Sequence, residues 1–120
     1  MDDIYKQLKD LATKLEAYET PAPAVKALFE AEADKFSGPI MDAGCGFGAI
    51  GAALREMDYR DRIVEMDIFP WWQLEDRSKG EERIEGDFLQ LSARPEGVDT
   101  LVMNPPFSKA TEFVEKGRAL

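Results

Sequence analysis

The sequence predicts an α/β domain built on a parallel sheet. Three observations carry that prediction. From residue 40 onward, short apolar runs of strand length alternate with amphipathic runs of helix length. Glycines and prolines punctuate the junctions between them. The 120 residues, 44% of them hydrophobic, suffice for one core and not for two. The reading is one domain over 1–120, with N-terminal helices over 1–36 and βα units over 37–120.

Ile4, Leu8, Leu11 and Leu15 recur at helical spacing and line one face of a helix across about residues 3–18. Thr20-Pro21-Ala22-Pro23 interrupts that pattern, because proline lacks the amide donor and restrains its predecessor. A second helix is expected from Ala24 to Lys35, with Val25, Leu28, Phe29 and Ala33 facing inward; Ser37-Gly38-Pro39 ends it. Then follow a strand at Ile40–Ala43, a helix at Ala49–Glu56, a strand at Ile63–Asp67, a short strand at Arg83–Gly86 and a fourth at Thr100–Met103. A last helix fits Lys109–Arg118, where Ala110 or Thr111, Phe113, Val114 and Gly117 form a loose stripe. Alternation of this kind implies parallel strands joined by right-handed crossovers. The stretch from Phe69 to Glu82 is the least regular, and Asp76–Gly80 reads as an exposed loop.

Composition removes several chemistries. The chain has no His, which excludes imidazole acid–base catalysis, a Ser-His-Asp triad and most zinc sites. Cys45 is the only cysteine, so no intrachain disulfide forms, and a reducing cytoplasm is the simplest setting. No run approaches the ~18 apolar residues of a spanning helix, so no membrane role is expected. With 24 acidic against 15 basic residues, a net charge of −9, the chain holds polyanions weakly by itself.

The richest local signal is Asp42-Ala43-Gly44-Cys45-Gly46-Phe47-Gly48, between the first strand and its helix. Glycines there allow a sharp turn and close backbone approach to a ligand. Gly46-Phe47-Gly48-Ala49-Ile50-Gly51 also fits the G-x-G-x-x-G dinucleotide pattern. Asp42 tilts the balance, since a carboxylate before the turn repels a pyrophosphate and suits a ligand carrying an ammonium group. Asp67 closes the second strand, where a carboxylate accepts hydrogen bonds from two ribose hydroxyls; this serves either cofactor. Asp87 ends the third strand, placed to accept from an adenine amino group while Phe88 covers the ring. Asn104-Pro105-Pro106-Phe107 follows the fourth strand. Its prolines stiffen the backbone so that the Asn104 side chain and the Pro105 carbonyl aim two acceptors at one point. That pair suits an amino or amide nitrogen, and Phe107 offers a face for a flat substrate.

In this order and on these strand ends, the motifs resemble the class I methyltransferases dependent on S-adenosyl-L-methionine. The N-P-P-F tetrapeptide is similar to that of amino-group methyltransferases, chiefly adenine-N6 enzymes acting on DNA or RNA, with guanine-N2 and glutamine-N5 enzymes as relatives. Thr20-Pro21 resembles the Thr-Pro motif of DNA adenine methyltransferases, beside the methionine part of the cofactor. The resemblance runs from about Ala17 to the end of the chain. It implies a Rossmann-like sheet in the order 3-2-1-4. It also implies a cofactor site made of Thr20, Asp42, Gly44, Cys45, Gly46, Gly48, Asp67, Ile68, Asp87, Phe88 and Asn104. Ile68 would pack on the cofactor adenine, and Asn104, Pro105, Pro106 and Phe107 would form the catalytic motif, with no metal. The implied reaction is methyl transfer to an exocyclic amino nitrogen, foremost adenine N6 of DNA. RNA or protein-glutamine methylation, or a silent assembly subunit, are the alternatives.

The family's sheet has seven strands, whereas this sequence supplies four and no target-recognition module. Strand four is therefore expected at an open edge, to be covered by a second copy or a partner subunit. Of Trp71 and Trp72, one is expected in the core and the other as a lid or partner contact. Arg77, Lys79, Arg83, Arg94, Lys116 and Arg118 read as solvated charge. Lys109 stands apart, because its position after the N-P-P-F motif could bring it to a phosphate.

Overall fold

The computed structural model describes residues 4, 6, 7, 10, 11 and 19–120. Leu8 and Leu15, half of the first helical stripe, lie outside the described residues. Helix α1 spans Ala22–Ala31, two residues earlier than expected, with Pro21 as its N-cap and Pro23 in its first turn. An amide proton is not needed there, so proline starts this helix instead of delaying it. A 3-10 turn at Ala33–Lys35 follows where the sequence suggested continued helix. Val25 is buried and Phe29 half-buried, whereas Leu28 and Ala33 are exposed, so the packing face is narrower than the periodicity implied.

Four strands make one sheet: β1 (Ile40–Ala43), β2 (Ile63–Asp67), β3 (Glu82–Glu85) and β4 (Thr100–Val102). Every pairing is parallel and the order is β3-β2-β1-β4, as the sequence implied. Helix α2 (Ala49–Glu56) joins β1 to β2, and α3 (Ala110–Ala119) follows β4. The sheet has a core on each face. Ile40, Ile50, Leu54, Ile63 and Val102 pack with Val25 and Tyr59 on one side. Met41, Val64, Met66, Phe88, Val98 and Phe113 pack on the other. β1 is buried along its whole length because both its faces are covered. Both strand edges are open among the described residues, and β3 protects its own with Glu82, Arg83 and Glu85. In α3, Phe113 is buried and Gly117 meets Leu101, while Val114 is exposed.

The Asp76–Gly80 segment is a loop with Arg77, Lys79 and Gly80 exposed, as expected, but one of its residues turns inward. Ser78 is buried and donates to Glu65 Oε1 at 2.6 Å. Arg83, read from sequence as solvated charge, is inside the same network: its Nε meets Glu65 Oε1 at 2.9 Å, and its guanidinium also reaches Ser78 and Asp76. The reason is Glu65, a carboxylate held fully inside at mid-strand, which needs a cation and donors to remain there. Asp76 also accepts from the backbone N–H of Lys79 and of Gly80, which ties the turn in place.

Candidate functional site

β1 is flanked in space by β2 on one side and by β4 on the other, so the connection from β1 runs toward β2 while the one from β3 crosses back to β4, and the strand order reverses at β1. A crevice opens at such a reversal, and ligands of open α/β sheets bind there. A cleft of about 240 Å³ lies at this point. Its floor comes from the ends of β1, β2 and β3: Gly44, Gly46, Met66, Asp67, Gly86 and Asp87. One wall is Ile68, Phe69 and Trp71; the opposite wall is Asn104, Pro106, Ser108 and Lys109, with Phe88 and Phe113 deeper.

The glycine turn is anchored at both ends. The N–H groups of Gly44 and Cys45 both donate to Met66 O, at 2.7 and 2.9 Å, which folds the turn over the end of β2. Gly44, Gly46 and Gly48 all have positive φ, and a Cβ built on Gly46 would project into open space. On Gly48 it would collide with Ser78, and on Gly51 it would come within 2.8 Å of Glu65 Oε2. Gly46 is thus kept bare toward the cleft, while Gly48 and Gly51 are kept bare toward the buried network.

Asp67 is the floor's main charge. Its Oδ2 accepts from Gly46 N–H at 2.9 Å and its Oδ1 from Phe69 N–H at 3.2 Å. Burial raises its pKa, and these backbone donors offset part of that rise. Each oxygen keeps a further lone pair, enough to accept two hydroxyls. Ile68 beside it is 69% exposed, an apolar surface with no protein neighbour to bury it. Asp87 caps the 3-10 turn Phe88–Gln90 by accepting from Leu89 N–H at 3.0 Å. Across the cleft, Asn104 Nδ2 donates to Thr20 Oγ1 at 3.1 Å. That bond engages the amide nitrogen, and among the described residues none donates to Oδ1.

The structure brings together Gly44, Gly46, Asp67, Ile68, Asp87, Phe88, Asn104 and Pro106, and joins Thr20 to them through Asn104. It does not place Asp42, Cys45, Gly48, Pro105 or Phe107 on the cleft wall. Asp42 pairs in register with Glu65, is wholly buried, and neither carboxylate oxygen has a hydrogen-bond partner among the described residues. Burial, with Glu65 and then Asp67 nearby, holds its pKa well above the usual carboxylate range. Phe88 reaches the cleft only by an edge, since its ring packs on Phe113 at 5.2 Å. Phe107 is the reverse, 87% exposed beside the cleft mouth.

Sequence reasoning missed Met66, Phe69, Gly86, Ser108 and Phe113 as cleft residues. Of the two tryptophans, one of which was expected in the core, Trp71 is the buried one, packed among Phe47 and Phe69, and it also lines the cleft. Trp72 is half-buried and stacks under Arg83 at 5.9 Å. Phe69 and Gly86 could have been found, since each directly adjoins a strand-end position already singled out. Phe113 could not, because only the docking of α3 brings it there.

A nucleoside and an apolar ring fit this cleft: a carboxylate with spare acceptors, bare glycine backbone and an aliphatic wall. A parallel 3-2-1-4 sheet with that cleft at its switch point is shared by nucleotide-cofactor folds, the class I methyltransferases among them. Residues 18–117 match the family model described as methyltransferase small domain, and the chain belongs to that family, whose cofactor is S-adenosylmethionine. Two curated relatives are ribosomal RNA small subunit methyltransferase C of Actinobacillus pleuropneumoniae serotype 7 (strain AP76) and serotype 5b (strain L20). Each is 31% identical over 80 residues, covering 63% of this chain and 24% of the relative. The chain therefore spans about a quarter of the length of these relatives. Among solved structures, a proposed RNA methyltransferase from Pyrococcus horikoshii superposes with a TM-score of 0.61 at 20% identity, covering 94% of this chain and 66% of that one. Among the described residues, no helix is long and apolar enough to cross a membrane.

Proposed function

We propose that this domain methylates an exocyclic amino nitrogen of a nucleic-acid base, with RNA as the substrate. One observation carries the reaction type: Asn104, its amide nitrogen held by Thr20, stands on the cleft wall directly after β4. In this reading Asp67 accepts from the ribose hydroxyls, Ile68 packs on the cofactor's adenine, and Asp87 accepts at that ring's edge. S-adenosylmethionine, when bound, supplies an electrophilic methyl group. Asn104 Oδ1 on the cleft wall and, from the adjoining backbone just off that wall, the Pro105 carbonyl accept the two N–H bonds of the target amino group and turn its lone pair toward that methyl. Phe107 covers the target ring from the exposed side. A base of high pKa is unnecessary, because the amino proton becomes acidic once nitrogen is alkylated, and positioning does most of the work.

The choice of RNA over DNA is supported by the relatives, which are ribosomal RNA methyltransferases, and not by a groove or basic face on this chain. Adenine N6 and guanine N2 present the same pair of N–H donors to the two acceptors. Labelled methyl transfer to ribosomal RNA, transfer RNA and DNA, with Asn104→Ala alongside, tests the reading. Incorporation into RNA, lost in the variant, is expected; incorporation into DNA alone would overturn the choice of substrate. The reading includes a cover for the open β4 edge by a second copy or a partner strand, which the solution mass of the same sample checks.

A further inference from the structure

We infer that Lys109 forms a phosphate subsite for the target strand, at the mouth of the cleft beside Asn104. The inference rests on the reading of the substrate as RNA and adds the group that holds its backbone. The charged residues lining the cleft are Asp67, Asp87 and Lys109, so a single cation faces two carboxylates there. Both carboxylates belong to the floor, at the ends of β2 and β3. Lys109 belongs to the opposite wall, on the turn Phe107–Lys109 that continues the N-P-P-F motif. The field inside the cleft therefore divides: a neutral or cationic group is favoured over the floor, and an anion is favoured only at the Lys109 wall.

Lys109 is exposed and makes no ion pair with any described residue. Arg83, Arg55, Arg62 and Arg77 differ in this respect, each being engaged with a carboxylate. A chain of net charge −9 that engages an anionic strand must do so where a cation is locally uncompensated. Lys109 meets that requirement within one short turn of Phe107, whose ring is free to meet a base. Aromatic face and cation together form the pair that single-stranded nucleic acids require: a stacking surface and a backbone contact. A Lys ammonium serves here as a point charge, without the geometric demand of a guanidinium.

The test uses the full chain, saturated with S-adenosylhomocysteine, and a short single-stranded oligoribonucleotide titrated at several salt concentrations. Lys109→Ala is compared with Lys109→Arg and with Lys26→Ala, which removes the same charge from exposed α1. The expected result is several-fold weaker RNA binding by Lys109→Ala alone, with the slope of log K against log salt reduced by about 0.7. Arginine should restore both. Affinity for S-adenosylhomocysteine, measured by calorimetry, should be unchanged in all three. RNA binding that falls equally in Lys109→Ala and Lys26→Ala would overturn the subsite while leaving the RNA reading intact. Loss of S-adenosylhomocysteine affinity in Lys109→Ala would also overturn it, reassigning the cation to the cofactor's carboxylate. No RNA binding by the unsubstituted chain, with normal cofactor binding, would remove the RNA reading and the subsite with it.

Discussion

Asn104 and Thr20 lie far apart in sequence and meet through one hydrogen bond at the wall of the cleft. The bond matters because an amide can present either its oxygen or its nitrogen, and only the oxygen accepts from a target amino group. Thr20→Val removes the bond with little change of volume. It should lower kcat by about tenfold, leaving cofactor affinity near normal; Thr20→Ser should recover most of the loss. Asn104→Ala should cost on the order of 10²-fold in kcat, as expected when an oriented polar contact to the reacting group is deleted. Asp67→Ala should act elsewhere, weakening S-adenosylhomocysteine binding at least tenfold in calorimetry. It loses both the ribose acceptors and the 2.9 Å anchor of Gly46. Asp67 and Asn104 were visible in the sequence through their position at strand ends and Thr20 through the Thr-Pro motif, but the bond that couples Thr20 to Asn104 was not.

At the scale of elements, β2 and β3 are tied to the 76–80 segment by Glu65, Arg83, Ser78 and Asp76. Arg83→Met would leave Glu65 buried without its cation. A cost of about 3 to 5 kcal/mol is expected from breaking one side of a buried pair, read as a fall in the urea midpoint. Double replacement by Glu65→Gln and Arg83→Met should recover much of it, because the uncompensated charge is then gone. The bounds of α2 were legible, after the turn ending at Gly48, whereas at α1 proline started the helix two residues before the expected position. The inward turn of Ser78 and the engagement of Asp76 were missed because polar residues in a row look solvated, and nothing local announces that Glu65 requires them.

Over the whole molecule, the balance of buried carboxylates sets the response to pH. Asp42, Glu65 and Asp67 all have pKa values raised by burial. A carboxyl whose folded pKa exceeds its unfolded value contributes stability below the unfolded value, near 4. That contribution is lost as pH rises through the folded value. Asp76 works in the other direction: its hydrogen bonds to Arg83 lower its pKa, so its contribution is present above about 4 and disappears in acid. Asp42 has no hydrogen-bond partner among the described residues to offset its burial, so it should dominate the alkaline side. Asp42→Asn should raise the melting temperature at pH 8 and change it much less at pH 5. An equal shift at both pH values would show that its ionisation does not govern stability.

By itself, the sequence determined the strand order's ingredients, the glycine turn, the carboxylates at the strand ends and the N-P-P-F motif. Each is written in local chemistry: period, turn residues and rigid proline pairs act over a few positions and need no distant partner. Only the tertiary structure decided which side chains face the cleft and which are buried beneath it. Asp42 and Asp67 look alike in sequence as strand acids, yet one is enclosed against Glu65 and the other opens to the cleft. Phe88, expected to cover a ring in the cleft, is drawn into the core against Phe113, whereas Phe107 keeps its face exposed. The reason is the same in both cases: side-chain direction along a strand or turn is fixed by packing against elements far away in the chain, and that packing has no local signature.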